Sequence, residues 1–97
     1  MKLSESQINS ALSQIEVQVL AEDDPIVVHF SKLFGQHTFF LDGKGLNVLE
    51  LLEVPGTATQ DGEVIRVARW NDVNFTSLTT HRPEPTGVVI SLKEVRH

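Results

Sequence analysis

The internal period of the chain changes near residue 36. Before that point apolar residues recur at helical spacing; after it come short alternating runs broken by turn residues. A helix presents one face every 3–4 residues and a strand every second residue, so neither pattern satisfies the other's geometry. A 97-residue chain carrying the first pattern and then the second reads as one α+β domain over residues 1–97.

The helical part has two start signals. Ser4-Glu5-Ser6-Gln7 is a capping box, with Leu3 and Ile8 at the positions of a hydrophobic staple. The stripe Ile8, Ala11, Leu12, Ile15 and Val19 then predicts a helix over residues 5–20, whose β-branched last turn could instead open a strand. Asp24-Pro25 is the second signal: Asp24 caps, and Pro25 suits a first-turn position that has no use for its missing N–H. Ile26, Val27, Phe30, Leu33 and Phe34 form one face, and Gly35 supplies a left-handed terminus, so a second helix is expected over 25–34. A strand over 26–30 is the rival reading of that short apolar run.

The remainder predicts a meander. Strands are expected over 37–42, 46–54, 63–70, 73–80 and 88–93. Asp42-Gly43-Lys44-Gly45 and Asn71-Asp72 form turns, 55–62 is a polar loop, and 82–87 is a proline-stiffened connection. Short connections favour antiparallel neighbours. Strand 73–80 alternates apolar Val73 and Phe75 with polar positions, so one face of the sheet is strongly apolar and the other mixed. That pattern places both helices on one face of a mainly antiparallel, roughly five-stranded sheet. Leu12, Ile15, Phe30, Leu33, Phe34, Val67, Phe75 and Ile90 are the expected core.

Charge and composition exclude several classes. A net charge of −5 and a pI near 5.2 repel phosphate backbones, so no nucleic-acid partner is expected. With no cysteine there is neither a disulfide nor a thiolate metal site. No apolar run approaches the roughly 18 residues of a membrane span, and no signal-peptide core follows Met1. The expectation is a small acidic cytoplasmic protein without cofactor or metal.

The candidate chemistry is thin. His29, His37, His81 and His97 show no helical metal-ligand spacing, although His37 and His81 with Asp42 or Asp72 could meet across strands. Glu50 shares a strand face with Val48 and Leu52, as a mixed-face or functional carboxylate. Asp42-Gly43-Lys44-Gly45 lacks the spacing of a phosphate loop, and no Gly-x-Ser-x-Gly elbow is present. Arg66 and Trp70 carry more weight. On one strand they share a face, where an arginine stacks on a tryptophan and the pair has the composition of an interface hot spot. In His81-Arg82-Pro83-Glu84-Pro85-Thr86-Gly87, two prolines stiffen a polar segment that presents Arg82 and Glu84 at low entropy cost. The reading is a non-catalytic protein-interaction module that uses Arg66, Trp70, Arg82 and Glu84 to bind a protein partner or a second copy of itself. The alternative is a small-ligand-binding protein or enzyme with a site between helices and sheet, drawing on Glu50, His37 or His81.

A metal-independent fold makes a direct prediction. Excess chelator is expected to leave the thermal midpoint unchanged, and a large drop in a melt would reveal a structural ion.

Overall fold

A computed structural model of the chain describes residues 2–52, 61–74 and 76–92. In chain order the elements are α1 (Glu5–Gln14), β1 (Gln18–Val19), α2 (Pro25–Phe34), β2 (Phe40–Leu41), β3 (Gly45–Leu52), β4 (Asp61–Trp70) and β5 (Leu78–Ser91). The strands form one antiparallel sheet in sequence order, and the two N-terminal helices pack against it. The architecture is α+β, as the change of period requires.

Both helix starts are as the sequence specifies. Ser4 Oγ accepts from Gln7 N–H at 3.2 Å, and Ser4 N–H donates back to Gln7 Oε1 at 2.9 Å. Asp24 accepts from Ile26 N–H at 2.8 Å, Pro25 opens the first turn of α2, and Gly35 ends it at φ 87°. Helix α1 is shorter than expected: Ile15 is already extended at φ −135°, ψ 150°. The β-branched residues beyond it take the alternative use, with Val19 pairing to Phe40 in β1.

The sequence reading puts both helices on one face; the packing divides them. One cluster joins Val27 and Phe30 of α2 to Leu46, Val48, Ile65 and Val67. The other joins Ala11 of α1 to Phe40, Leu49, Val64, Ile90 and Leu92. Adjacent strand residues point to opposite faces, so Val48 and Leu49, or Phe39 and Phe40, belong to different layers. The central strand β3 is buried at every position from Gly45 to Leu49 because a helix covers it on each side. Helix α1 approaches closely through the small Ala11, and its polar groups seize the end of β5. Ser91 N–H donates to Gln14 Oε1 at 2.8 Å, while Gln14 Nε2 and Ser10 Oγ donate to Ser91 O at 2.8 and 2.9 Å.

Strand boundaries also differ: the strand expected over 37–42 is only Phe40–Leu41, and the two expected over 73–80 and 88–93 are one strand, β5. The expected strand over 73–80 begins only at Leu78, and the expected connection 82–87 lies inside β5. Prolines are tolerated there because β5 is an edge strand, whose outer N–H groups have no ladder partner to lose. The register absorbs the irregularity. Residues 81–83 occupy the interval opposite Val67 alone, and 86–88 the interval opposite Val64 alone.

Among expected core residues, Phe30, Val67 and Ile90 are buried, and Ile15 and Phe34 pack at the cluster edges. Leu12 and Leu33 are 38% and 54% exposed. Phe75 lies outside the described residues, as do residues 53–60, which hold the end of the expected strand 46–54 and most of the expected loop 55–62, and the strand end at Lys93; Asp61 and Gly62, expected in that loop, instead open β4.

Phe30 holds the α2 layer, in contact with the cluster and stacked at 6.3 Å on Phe34. Phe30→Ala is expected to cost about 3–5 kcal/mol in denaturant melts, the range for truncating a buried aromatic.

Candidate functional site

A single extra residue on β4 rearranges the candidates. Leu46 pairs with Ala68 but Asn47 pairs with Arg66, so Val67 is a bulge with no opposite residue on β3. Val67 and Ala68 consequently enter the same α2-side cluster, and the alternation of β4 inverts beyond them. Arg66 falls on the α1 side with Asn47, whereas Trp70 falls on the α2 side with Ala68 and its partner Leu78. The expectation that Arg66 and Trp70 share a face is therefore corrected. Regular alternation was assumed over 64–70, and the bulge breaks it.

Trp70 lines a cleft of about 530 Å³ between α2 and the β4–β5 connection. Pro25, Ile26, His29, Phe30 and Leu33 form one wall, and Thr76 to Thr80 the other. The indole is half-buried, and its Nε1–H donates to the Asp42 carbonyl at 2.8 Å. Asp42 organises this end of the sheet. Its Oδ1 accepts from the amides of Lys44 and Gly45, and its Oδ2 from Asn47 Nδ2. The hairpin expected at 42–45 is thus also the support of Trp70, a role that local spacing does not reveal.

Arg66 sits instead in a polar row. Phe40, Asn47, Arg66 and Glu84 are successive cross-strand partners from β2 to β5. Arg69, brought onto this face by the bulge, donates to Glu84 Oε2 at 2.6 Å. His81 Nδ1 lies 3.8 Å from Glu84 Oε1 and 2.6 Å from the Arg82 carbonyl. The hydrogen bond from Arg69, reinforced by the charges of Arg69, His81 and Arg66, holds the Glu84 carboxyl below its usual range. Arg82 contributes its carbonyl; its side chain is exposed. Glu84 therefore serves as the internal counter-ion of a cationic cluster.

His37 and Glu50 come together on the α2 side. Both line a cavity of about 400 Å³ with Phe34, Val48, Ile65, Val67 and Pro83. His37 Nε2 lies 3.0 Å from the Phe34 carbonyl, and burial lowers its pKa against the smaller opposing effects of that carbonyl and Glu50. His81 is on the opposite face, so it does not join His37. Among the described residues no group of histidines and carboxylates is arranged to hold a metal ion. Asp72 is occupied by Thr76, whose amide and hydroxyl both donate to it, and its pKa is lowered accordingly. No described helix is long and apolar enough to cross a membrane.

Compared with known proteins, the chain matches no family model, no curated protein and no solved structure.

His37 and Glu84 both lose stability on acidification, in separate pH windows. His37 binds a proton less readily folded than unfolded, so stability falls as pH drops through the ordinary histidine range near about 6.5. Glu84 has a depressed folded pKa; its contribution is present above the ordinary glutamate value and is lost at lower pH, through the folded pKa. In thermal melts from about pH 8 to 5, His37→Asn is expected to flatten the loss of stability near about pH 6.5. An unchanged slope would remove His37 as its source.

Proposed function

We propose that the protein is a non-catalytic interaction module and that the Trp70 cleft is its contact surface. The supporting observation is apolar surface left open beside an anchored tryptophan: Leu33 is 54% exposed on the rim of the cleft that Trp70, Phe30 and Leu78 line. A tryptophan whose N–H is already satisfied offers its ring at little entropic cost, which suits an interface anchor. The cleft volume lies within the range of roughly 300–1,000 Å³ that accepts a side chain or small segment. Acidic overall charge and the absence of a nucleophile or metal-binding motif in the sequence favour binding over chemistry.

A second reading, a small-ligand protein or enzyme, is favoured by the His37–Glu50 cavity. There a titratable pair faces apolar walls between α2 and the sheet. The two readings separate experimentally, because Leu33 borders only the first cleft.

Leu33→Arg is expected to leave stability within about 0.5 kcal/mol, as for other exposed sites. It is expected to weaken self-association in sedimentation equilibrium, or retention of a partner on the immobilised protein, by roughly tenfold or more. A protein that sediments as the same monomer in both forms, and retains identical partners in both, would exclude this cleft. Small molecules that raise the melting temperature of wild type but not of Glu50→Gln would support the second reading.

A further inference from the structure

The cavity shared by His37 and Glu50 carries a negative charge and no positive one. Phe34, Val48, Ile65 and Pro83 give it apolar walls, Glu50 is the carboxylate among its lining residues, and none of them is a lysine or arginine. Burial lowers the His37 pKa, so at neutral pH the ring adds no positive charge.

The register of the sheet sets a second carboxylate beside the first. Glu50 of β3 and Glu63 of β4 are direct cross-strand partners, and both project from the α2-side face that carries Val48. The Cβ atoms of such a pair lie about 4.5–5.5 Å apart, and like charges so placed oppose each other. Neither carboxylate has an ion pair within 4 Å among the described residues, where the pairs are Lys2–Glu22, Arg69–Glu84 and His81–Glu84. Glu50 is exposed, so it stands where the cavity meets solvent, and Glu63 is half-buried next to it. An apolar space thus opens at a pair of uncompensated anions.

We propose that this cavity binds an organic ammonium: a primary or secondary amine, protonated at neutral pH, on a small apolar body. The proposal rests on the small-ligand reading of the cavity and is independent of the Trp70 cleft. The body fills the space against Phe34, Val48, Ile65 and Pro83, and its burial supplies most of the affinity. A volume of about 400 Å³, at the lower end for ligand pockets, suits a compact body. The ammonium donates its N–H groups to Glu50, with Glu63 beside it, and offsets the repulsion between the two. The same pair turns an anion away.

The test is a titration of the whole protein at neutral pH, followed at the His37 ring signals by NMR. The probes are benzylammonium, benzyl alcohol, methylammonium and phenylacetate. Benzylammonium is expected to give a saturable shift. Benzyl alcohol has the same body without the charge and is expected to bind roughly fivefold more weakly. Methylammonium has the charge without the body and is expected to lose roughly tenfold or more. Phenylacetate is expected to be the weakest. Added salt is expected to weaken benzylammonium and to leave benzyl alcohol unchanged. Glu50→Gln, which keeps the side-chain shape at an exposed site, is expected to remove most of the gap between benzylammonium and benzyl alcohol. Glu63→Gln reads the second carboxylate in the same way, and the wild-type ranking of probes stands even if a variant unfolds. Benzyl alcohol binding as tightly as benzylammonium, or phenylacetate binding tightest, would overturn the proposal while leaving a ligand cavity. Methylammonium binding as tightly as benzylammonium would overturn it too, as a counter-ion at the rim and no more. No saturable shift with any probe would overturn the proposal and the small-ligand reading together.

Discussion

The close approach of Gly45 to Ala68 sets the arrangement of everything that surrounds it. A Cβ at Gly45, whose φ is 155°, would lie 2.9 Å from both Ala68 C and Arg69 Cα and would collide with Ala68 O. Only a bare backbone allows β3 and β4 to meet where Val67 is squeezed out of register. From that bulge follow the two-residue apolar step Val67-Ala68 under α2, the transfer of Arg69 to the face of Arg66, and the delivery of Trp70 to the opposite face. One irregularity therefore separates an apolar surface from a polar one. Without it both would be blended along a single strand.

How much was legible depends on the range of the determining interaction. The helix starts at Ser4 and Asp24 are written within four residues of themselves, and the structure reproduces both caps. The short β2–β3 connection and the antiparallel order follow from turn chemistry and chain length in the same way. The end of α1 was ambiguous because Ile15 and Val19 fit a helix by spacing and a strand by propensity. Pairing with Phe40 and Leu41, more than twenty residues downstream, decides it. The proline-bearing segment looked like a break because prolines exclude only the interior of a sheet, and the position of β5 at the edge is a property of the whole topology.

The candidate sites were legible in residue type and not in placement. Arg66, Trp70 and Glu84 do lie at exposed or half-buried surface, yet their grouping depends on a register shift with no local signature. Arg69 escaped notice because regular alternation sets it opposite Arg66. Asn47 carries no local signal, and its burial comes from a row shared by four strands. Asp42 was weighed as a metal ligand, whereas three donors from the turn and from Asn47 already occupy its carboxylate.

The clasp between Gln14 and Ser91 has a consequence in time. The amide of Gln14 meets both backbone groups of Ser91 as a neighbouring strand would, across 77 residues of chain. During synthesis at about 5–20 residues per second, α1 waits roughly 4–15 s before the strand it closes upon exists. Throughout that interval the α1-side layer lacks Ile90 and Leu92, and the face of β3 that carries Leu49 lacks its cover. Among the described residues the α2-side cluster draws nothing from beyond Leu78, so it can consolidate first. Chain order thus lets the two layers of this small domain complete in sequence, with the helix made first supplied last with the strand end it clasps.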